Sequence, residues 1–364
     1  MNESTDVINQ EIGQRQESIK GEYLHALMLK LRPQEPGDIL PCAGQLAHAA
    51  LLRWFAEVDS SLATYLHEPN ARRPFTCSSL WFPNTHEVIV AQRTNRRLSL
   101  VPNQTYWLRF TMLTDKLFRI FIKRFFQSTS PTVGETRGGL NLPKIRLGSV
   151  DFDVVEVIMT SPESKQQQYD MVNWSGYATY SGLVKQAHTI DLKNATTWSL
   201  GFEFRSPTAF STGQAAWGKQ MHLFPDPKRV FESLARAWNT WAPSHFTMDA
   251  HAIQTYAHDW IAVSHYELQT RTFHFDHSVQ EGFTGKCMYT MKEREWTHSR
   301  HARPIEDSPT PNRRLRSGDN LPPTTIGAEL TPVQALHLLA NFAFYAGVGH
   351  KTTMGMGQTR SLTV

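Results

Sequence analysis

Tyr23-Leu-His-Ala-Leu-Met-Leu-Lys-Leu31, a break at Gly37-Asp-Ile-Leu-Pro41, and then Gly44-Gln-Leu-Ala-His48-Ala-Ala-Leu-Leu-Arg53-Trp-Phe-Ala-Glu57-Val-Asp-Ser-Ser-Leu-Ala-Thr-Tyr-Leu-His67 read as a strand feeding a helix. Leu46, Ala47, Leu51, Trp54, Phe55, Val58 and Leu62 recur at helical spacing, while Arg53 and Glu57 fall on the opposite side. Asp59-Ser60 marks a place where this helix divides in two. Downstream, residues 74–82 and 106–113 are β-rich with no helix predicted between them, a helix is predicted over 115–126, and a strand over 150–159. The resulting order, βαββαβ, is that of a ferredoxin-like unit.

The second half repeats the pattern. A strand is predicted over 196–205, and a helix follows from Asp226 and Pro227 with Val230, Leu234, Ala237 and Trp238 inside. Strands are predicted over 258–268 and 285–291, and a last helix runs from Thr331 and Pro332 to Tyr345. The expected fold class is α+β, with two tandem ferredoxin-like, RRM-like domains. Residues 1–20 form a polar tail, 21–165 the first domain and 166–364 the second, which carries a basic, Pro- and Ser-rich mobile insertion over 293–329.

Composition suits such a chain. Its 364 residues accommodate two domains, and 40% hydrophobic with 19% charged residues fits packed globular lobes. Lys and Arg number 37 against 33 Asp and Glu, a net charge of +4 that permits a nucleic-acid partner. The clustering of that charge is more telling: between Arg93 and Arg124 there are eight basic residues and one acid, Asp115. Within the predicted helix Lys116, Arg119 and Lys123 share one side, opposite Phe121 and Phe125, as a solvated face or as a grip on RNA. Cys42, Cys77 and Cys287 lie far apart without a C-x-x-C pair, which argues against a disulfide framework or a cysteine zinc site and suits a cytoplasmic protein. The start lacks the apolar core of a signal peptide, and no stretch reaches the ~20 apolar residues of a membrane span.

The chain closes on Phe344-Tyr-Ala-Gly347-Val-Gly349-His350-Lys351-Thr352-Thr-Met-Gly355-Met-Gly357-Gln-Thr-Arg360. Glycines serve where backbone takes positive φ or approaches a ligand, and glycines beside Lys351 suggest N–H donors plus a cation for phosphate oxygens. It is neither a P-loop nor a dinucleotide fingerprint, because the required glycine and lysine spacings are absent. A glycine-rich turn between a helix and the last strand is the plain alternative.

That string resembles the C-terminal signature of the CRISPR repeat-processing endoribonucleases of the RAMP superfamily. Leu62-Ala-Thr-Tyr-Leu-His67-Glu followed by Arg73-Pro-Phe-Thr-Cys-Ser78 is similar to their first-domain motif. Leu200-Gly-Phe-Glu-Phe-Arg-Ser-Pro207, Leu223-Phe-Pro-Asp-Pro227 leading into Trp238, and Gly282-Phe-Thr-Gly285 are similar to their later motifs. The resemblance spans roughly Tyr23 to Arg360. It implies tandem ferredoxin-like domains, CRISPR repeat RNA or crRNA as partner, other effector-complex subunits as further partners, and no cofactor.

It also implies a chemistry. RNA cleaves itself when its 2′-OH is deprotonated in line with the adjacent phosphate, leaving a 2′,3′-cyclic phosphate and a 5′-OH. That reaction needs a base, an acid and a cation, and no metal. His67 stands where some family members carry the catalytic histidine and Arg73 where they carry a catalytic lysine. The tyrosine of that arrangement is replaced by Leu52, and His48, one helical turn earlier, is the candidate for its role or for the main one. RNA contacts are expected from Gly347, Gly349, His350, Lys351, Thr352, Gly355 and Gly357 in the loop, and from Arg271 and Lys286 in the second domain. The alternative is a non-catalytic RAMP subunit that only holds guide RNA.

Overall fold

The computed structural model describes residues 20–68, 72–129, 143–160, 172–216, 218–275, 278–292, 327 and 329–362. The expected tail (but for Lys20), the boundary at residue 165 and nearly all of the insertion over 293–329 lie outside the described residues. The first lobe contains β1 (Tyr23–Pro33), β2 (Gly37–Ile39), α1 (Gly44–Val58), α2 (Ser60–His67), β3 (Phe75–Cys77), α3 (Thr85–Thr94), β4 (Leu98–Leu100), β5 (Tyr106–Met112), α4 (Asp115–Thr129), β6 (Lys144–Leu147) and β7 (Val150–Ile158). After these come β8 (Gly176–Thr179) and α5 (Tyr180–His188). The second lobe follows with β9 (Ser199–Thr208), β10 (Phe210–Ala215), β11 (Gly218–His222), α6 (Pro227–Trp241), α7 (Ala250–Trp260), β12 (Ile261–Phe275), β13 (Ser278–Met291), α8 (Pro332–Ala346) and β14 (Thr359–Leu362).

The main strands of the first sheet lie in the order β3-β5-β1-β7, and those of the second in the order β12-β13-β9-β14, with antiparallel neighbours throughout. Numbering each lobe's four ferredoxin strands along the chain gives 2-3-1-4 in both. The two lobes are therefore the same βαββαβ unit twice, as the pattern of elements predicts. β1 sits centrally and its residues Leu24–Leu29 are all buried, because the helices cover one face and the second lobe the other. Two-sided burial is the reason this strand reads as a nearly continuous apolar run.

Local chemistry fixes the helix ends. The Asp59 carboxylate accepts from Leu62 N–H at 3.0 Å, and so caps α2 at the predicted break. Asp226 accepts from Arg229 N–H ahead of Pro227, and Thr331 with Gln334 forms a capping box at the start of α8.

Two expectations differ from the structure. A helix, α3, does lie between the β-rich runs at 74–82 and 106–113. Its Asn84 cap accepts from His86 and Glu87 N–H, but only Ala91 is buried, so it carries little apolar periodicity. The strand expected from His258 begins at Ile261, because Asp249 caps a helix that runs to Trp260. Beyond residue 165, β8 still joins the first sheet by pairing with β1, while Tyr180 at the start of α5 packs on Trp238 and Phe342 of the second lobe. Among the described residues no helix is long and apolar enough to cross a membrane.

The lobes are locked together around Arg109 of β5, which is 1% exposed. Its guanidinium donates to Trp174 O at 2.7 Å, Gln358 Oε1 at 2.6 Å and Phe344 O at 2.6 Å, and it lies over the Trp174 and Phe344 rings. Gln358 in turn donates to Thr76 Oγ1 and Cys77 O at 3.3 Å, tying the chain's last turn to β3.

Candidate active site

α1 begins where the closing loop crosses it. A Cβ on Gly44 would fall on the Met354 carbonyl and 2.5 Å from Gly355 Cα, so only glycine lets the two backbones approach. Gly355 itself sits at φ +98°, in the left-handed region. One turn into α1, the buried His48 ring donates from Nδ1 to Thr353 O at 3.1 Å and tilts against Phe75, 5.5 Å between centroids. A carbonyl only accepts, so this bond places the proton on Nδ1 and leaves Nε2 as a lone-pair acceptor. Burial, then the nearby Arg73 guanidinium, lowers the His48 pKa to about 4, and His67 adds a smaller push in the same direction.

His67 is the last residue of α2 and is exposed. Arg73 is half-buried, and its Nε donates to Leu66 O at 2.6 Å, which pins the end of α2 beside it. Leu66, whose carbonyl Arg73 binds, directly precedes His67, so Arg73 lies at the end of α2, and the charge of each reaches His48. Leu52 is 3% exposed and packs in the core, so no polar group replaces the missing tyrosine at that position.

Beside this corner lies a cleft of about 740 Å³ between the lobes. Arg72 and Arg73 reach it from the first lobe, Arg229 and Arg236 from α6, and His350 and Lys351 from the loop. Among the described residues Glu232 is the only lining acid, and it pairs with Arg236 at 2.5 Å. So strong an excess of cations in a partly desolvated cleft attracts a polyanion.

Loop residues 347, 349 and 350–354 line this cleft, whereas Gly355 and Gly357 are buried behind it. The expected row of glycine N–H donors is largely consumed within the protein. Gly347 donates to Ala343 O, Gly349 to Ser233 Oγ and Gly357 to Pro207 O, at 2.9, 3.2 and 3.0 Å. The glycines therefore shape the loop and let it dock on α1. Lys351 lies with Nζ 3.9 Å from the Phe275 ring centroid, and burial with the neighbouring Lys219 lowers its pKa. His350 Nε2 is 3.4 Å from Lys219 Nζ, and burial with Lys219 and Lys351 lowers its pKa to about 4.

Arg271 and Lys286 are not at this cleft. They line a separate one of about 360 Å³, formed by β12, β13, α3 and Trp81. The sequence reading missed Arg72, Arg229, Arg236 and Lys219. The two α6 arginines show only as the outer side of an amphipathic helix, and Lys219 lies on the β10–β11 hairpin, whose polar strands carry no apolar alternation.

Two ferredoxin-like lobes, a basic cleft between them and a closing glycine loop define a protein of the RAMP type. The chain matches the model of the CRISPR-associated endoribonuclease Cas6 over residues 202–359 and that of the CRISPR Cas6 N-terminal domain over residues 23–185. It belongs to the Cas6 family of CRISPR-associated endoribonucleases. Among solved structures it is similar to the Thermus thermophilus Cas6 protein TTHB231 in a product complex, with 21% identity, a TM-score of 0.63, and coverage of 94% of this chain and 100% of that one. A second Cas6, TTHA0078, in a substrate mimic complex, gives 20% identity, a TM-score of 0.52, and coverage of 94% and 100%. At such identities the likeness speaks for the fold. No curated protein matches the chain.

Proposed function

We propose that this protein cuts CRISPR repeat RNA without a metal ion, in the cleft between its lobes, and leaves a 2′,3′-cyclic phosphate and a 5′-OH. The observation that carries the reading is the His48–Thr353 hydrogen bond, which fixes an imidazole acceptor beside a cationic cleft. Held neutral with Nε2 free to accept, His48 takes the proton of the attacking 2′-OH. The 2′-oxygen bonds to phosphorus, the bond from phosphorus to the 5′-oxygen breaks, and that oxygen takes a proton from His67. His48, with a pKa of about 4, does not arrive protonated, so the acid role falls to His67. Arg73 faces the charge that develops on the phosphorane oxygens. Lys351, His350, Thr352 and the cleft arginines hold the RNA backbone, and Gly347, Gly349, Gly355 and Gly357 give the loop the shape that puts them there. Arg271 and Lys286 contact RNA only as it passes into the second cleft. A phosphate bound near His48 raises its basicity, which couples substrate binding to the base.

Alanine at His48 and at His67, each tested by single-turnover cleavage of labelled repeat RNA in excess chelator, checks the assignment. Loss of cutting with retained binding in both variants is the expected result. RNA bound but never cut by the folded wild type would instead make this a guide-holding subunit.

A further inference from the structure

The basic stripe on α4 is not part of the cleft. Lys116, Arg119 and Lys123 are exposed at helical spacing, and the next position on the same stripe is Phe126, 61% exposed. The three cations form no ion pair among the described residues. With Lys20 they line a basin of about 750 Å³ whose other wall is the start of α2, Ser60 and Ser61. Its two carboxylates are hydrogen-bonded within the protein, and Asp59 also faces the charge of Lys116. Asp59 accepts from Leu62 N–H and the Ser61 hydroxyl, and Asp115 accepts from Glu22 and Tyr23 N–H. Even with Lys20 set aside, the three α4 cations outnumber the two carboxylates, so the basin is net positive.

This basin is joined to the candidate cut site by α2. The exposed residues of that helix, Ser60, Ser61, Thr64 and His67, carry no acid and, up to His67, only small hydroxyl side chains. The helix begins at the basin and ends at His67. Its eight residues span roughly 12 Å at ~1.5 Å per residue, or roughly three phosphates of a stacked strand at ~3.4 Å each.

We infer that α2 and the α4 stripe form a track that holds a single-stranded flank of the RNA beside the cut site, its phosphates on Lys116, Arg119 and Lys123 and a base on the Phe126 ring. The inference rests on the cleavage site proposed above. Exposed cations ending on an aromatic ring suit a strand whose phosphates and bases are both accessible. The basin presents no cluster of apolar anchors of the kind a protein partner would bury.

Binding of the cognate repeat RNA, made uncleavable by a 2′-deoxy sugar at the cut site, tests the track with and without its single-stranded flanks. Three lost phosphate contacts lower the slope of log affinity against log salt by about 2, at ~0.7 per contact on a single strand. The Lys116→Ala, Arg119→Ala, Lys123→Ala triple variant should therefore bind flanked RNA on the order of tenfold or more weakly at moderate salt. The difference from wild type should vanish on the flankless RNA. Phe126→Ala and Thr64→Glu should each weaken flanked RNA alone, and the triple variant and Phe126→Ala should melt like the wild type and cut at the wild-type rate when saturating. An unchanged affinity and salt slope for the triple variant overturns the track, and so does a loss of equal size on flankless RNA. A partner protein on this stripe would give the first of those results. Because this binding is read on uncleavable RNA, a wild type that fails to cut ordinary RNA refutes the proposed reaction and leaves the track to be judged separately.

Discussion

Gly44→Ala separates two expectations of opposite sign. Gly44 lies in the first turn of α1, where alanine is favoured over glycine by up to ~1 kcal/mol as a helix former. Seen as a helix alone, the substitution stabilises. In the folded chain the new methyl would collide with the Met354 carbonyl and Gly355 Cα. The obstruction is backbone on a loop held by Gln358, Arg109 and β3, so it cannot swing aside as a flexible side chain would. Overpacking of this kind costs about 1–3 kcal/mol, and losing the His48–Thr353 hydrogen bond adds about 1 kcal/mol. The net expectation is a loss of about 1–3 kcal/mol despite the better helix former. Because Thr353 orients the imidazole, a displacement on the order of 1 Å should also slow cleavage by roughly a hundredfold. Thermal melting and single-turnover cleavage of the purified variant read both effects. A Gly44→Ala protein that melts at or above the wild type and cuts at its rate would refute the claim that the loop is seated on α1 to position His48.

Arg109→Met removes three hydrogen bonds from buried acceptors and should destabilise the protein by roughly 3 kcal/mol or more, visible in denaturant unfolding. Lys351→Ala should weaken RNA binding and make its salt dependence shallower by about 0.7–0.9 per lost contact, which equilibrium titrations at several salt concentrations detect. Acid should destabilise the fold between pH 6.5 and 4. His25, His48 and His350 have folded pKa values of about 4, below the 6.5 of the unfolded chain, so the unfolded state takes up protons first as the pH falls. Their neutral-state stability is intact above 6.5 and is lost as the pH drops toward 4, by up to about 3 kcal/mol for the buried His25 and His48 and by less for the more open His350. His25, buried at 7% exposure and stacked on Phe118, should account for part of that slope, and His25→Phe should flatten a plot of stability against pH.

Much of the fold was legible in the sequence because the two repeats write their cores in clear periods. α1, α4, α6 and α8 each present an apolar side, and Asp59, Asp226 and Thr331 announce their caps. α3 was hidden because it rests on the surface with one buried residue, and α7 because it runs directly into a strand without a breaker. The site was legible only in part. His48, His67 and Arg73 can be named as candidates from the sequence, yet nothing local says that Thr353, far along the chain, would fix the tautomer of His48. The glycines were visible as glycines, but their purpose was not. An N–H that faces phosphate and one that bonds to Pro207 look the same in a string of letters, and only the neighbouring backbone distinguishes them. The separation of Arg271 and Lys286 from the cleft has the same cause, since their strand positions are set by a register read across β12 and β13.

Analysing the ends of RNA cut in a single turnover with excess chelator tests cleavage by His48 and His67 with no metal. Full-rate cutting by the wild type, a 2′,3′-cyclic phosphate on the upstream fragment, a 5′-OH on the downstream one and no product from His67→Ala are the expected results. Cutting that stops with chelator and returns with a divalent cation would contradict it, as would a 5′-phosphate on the downstream fragment.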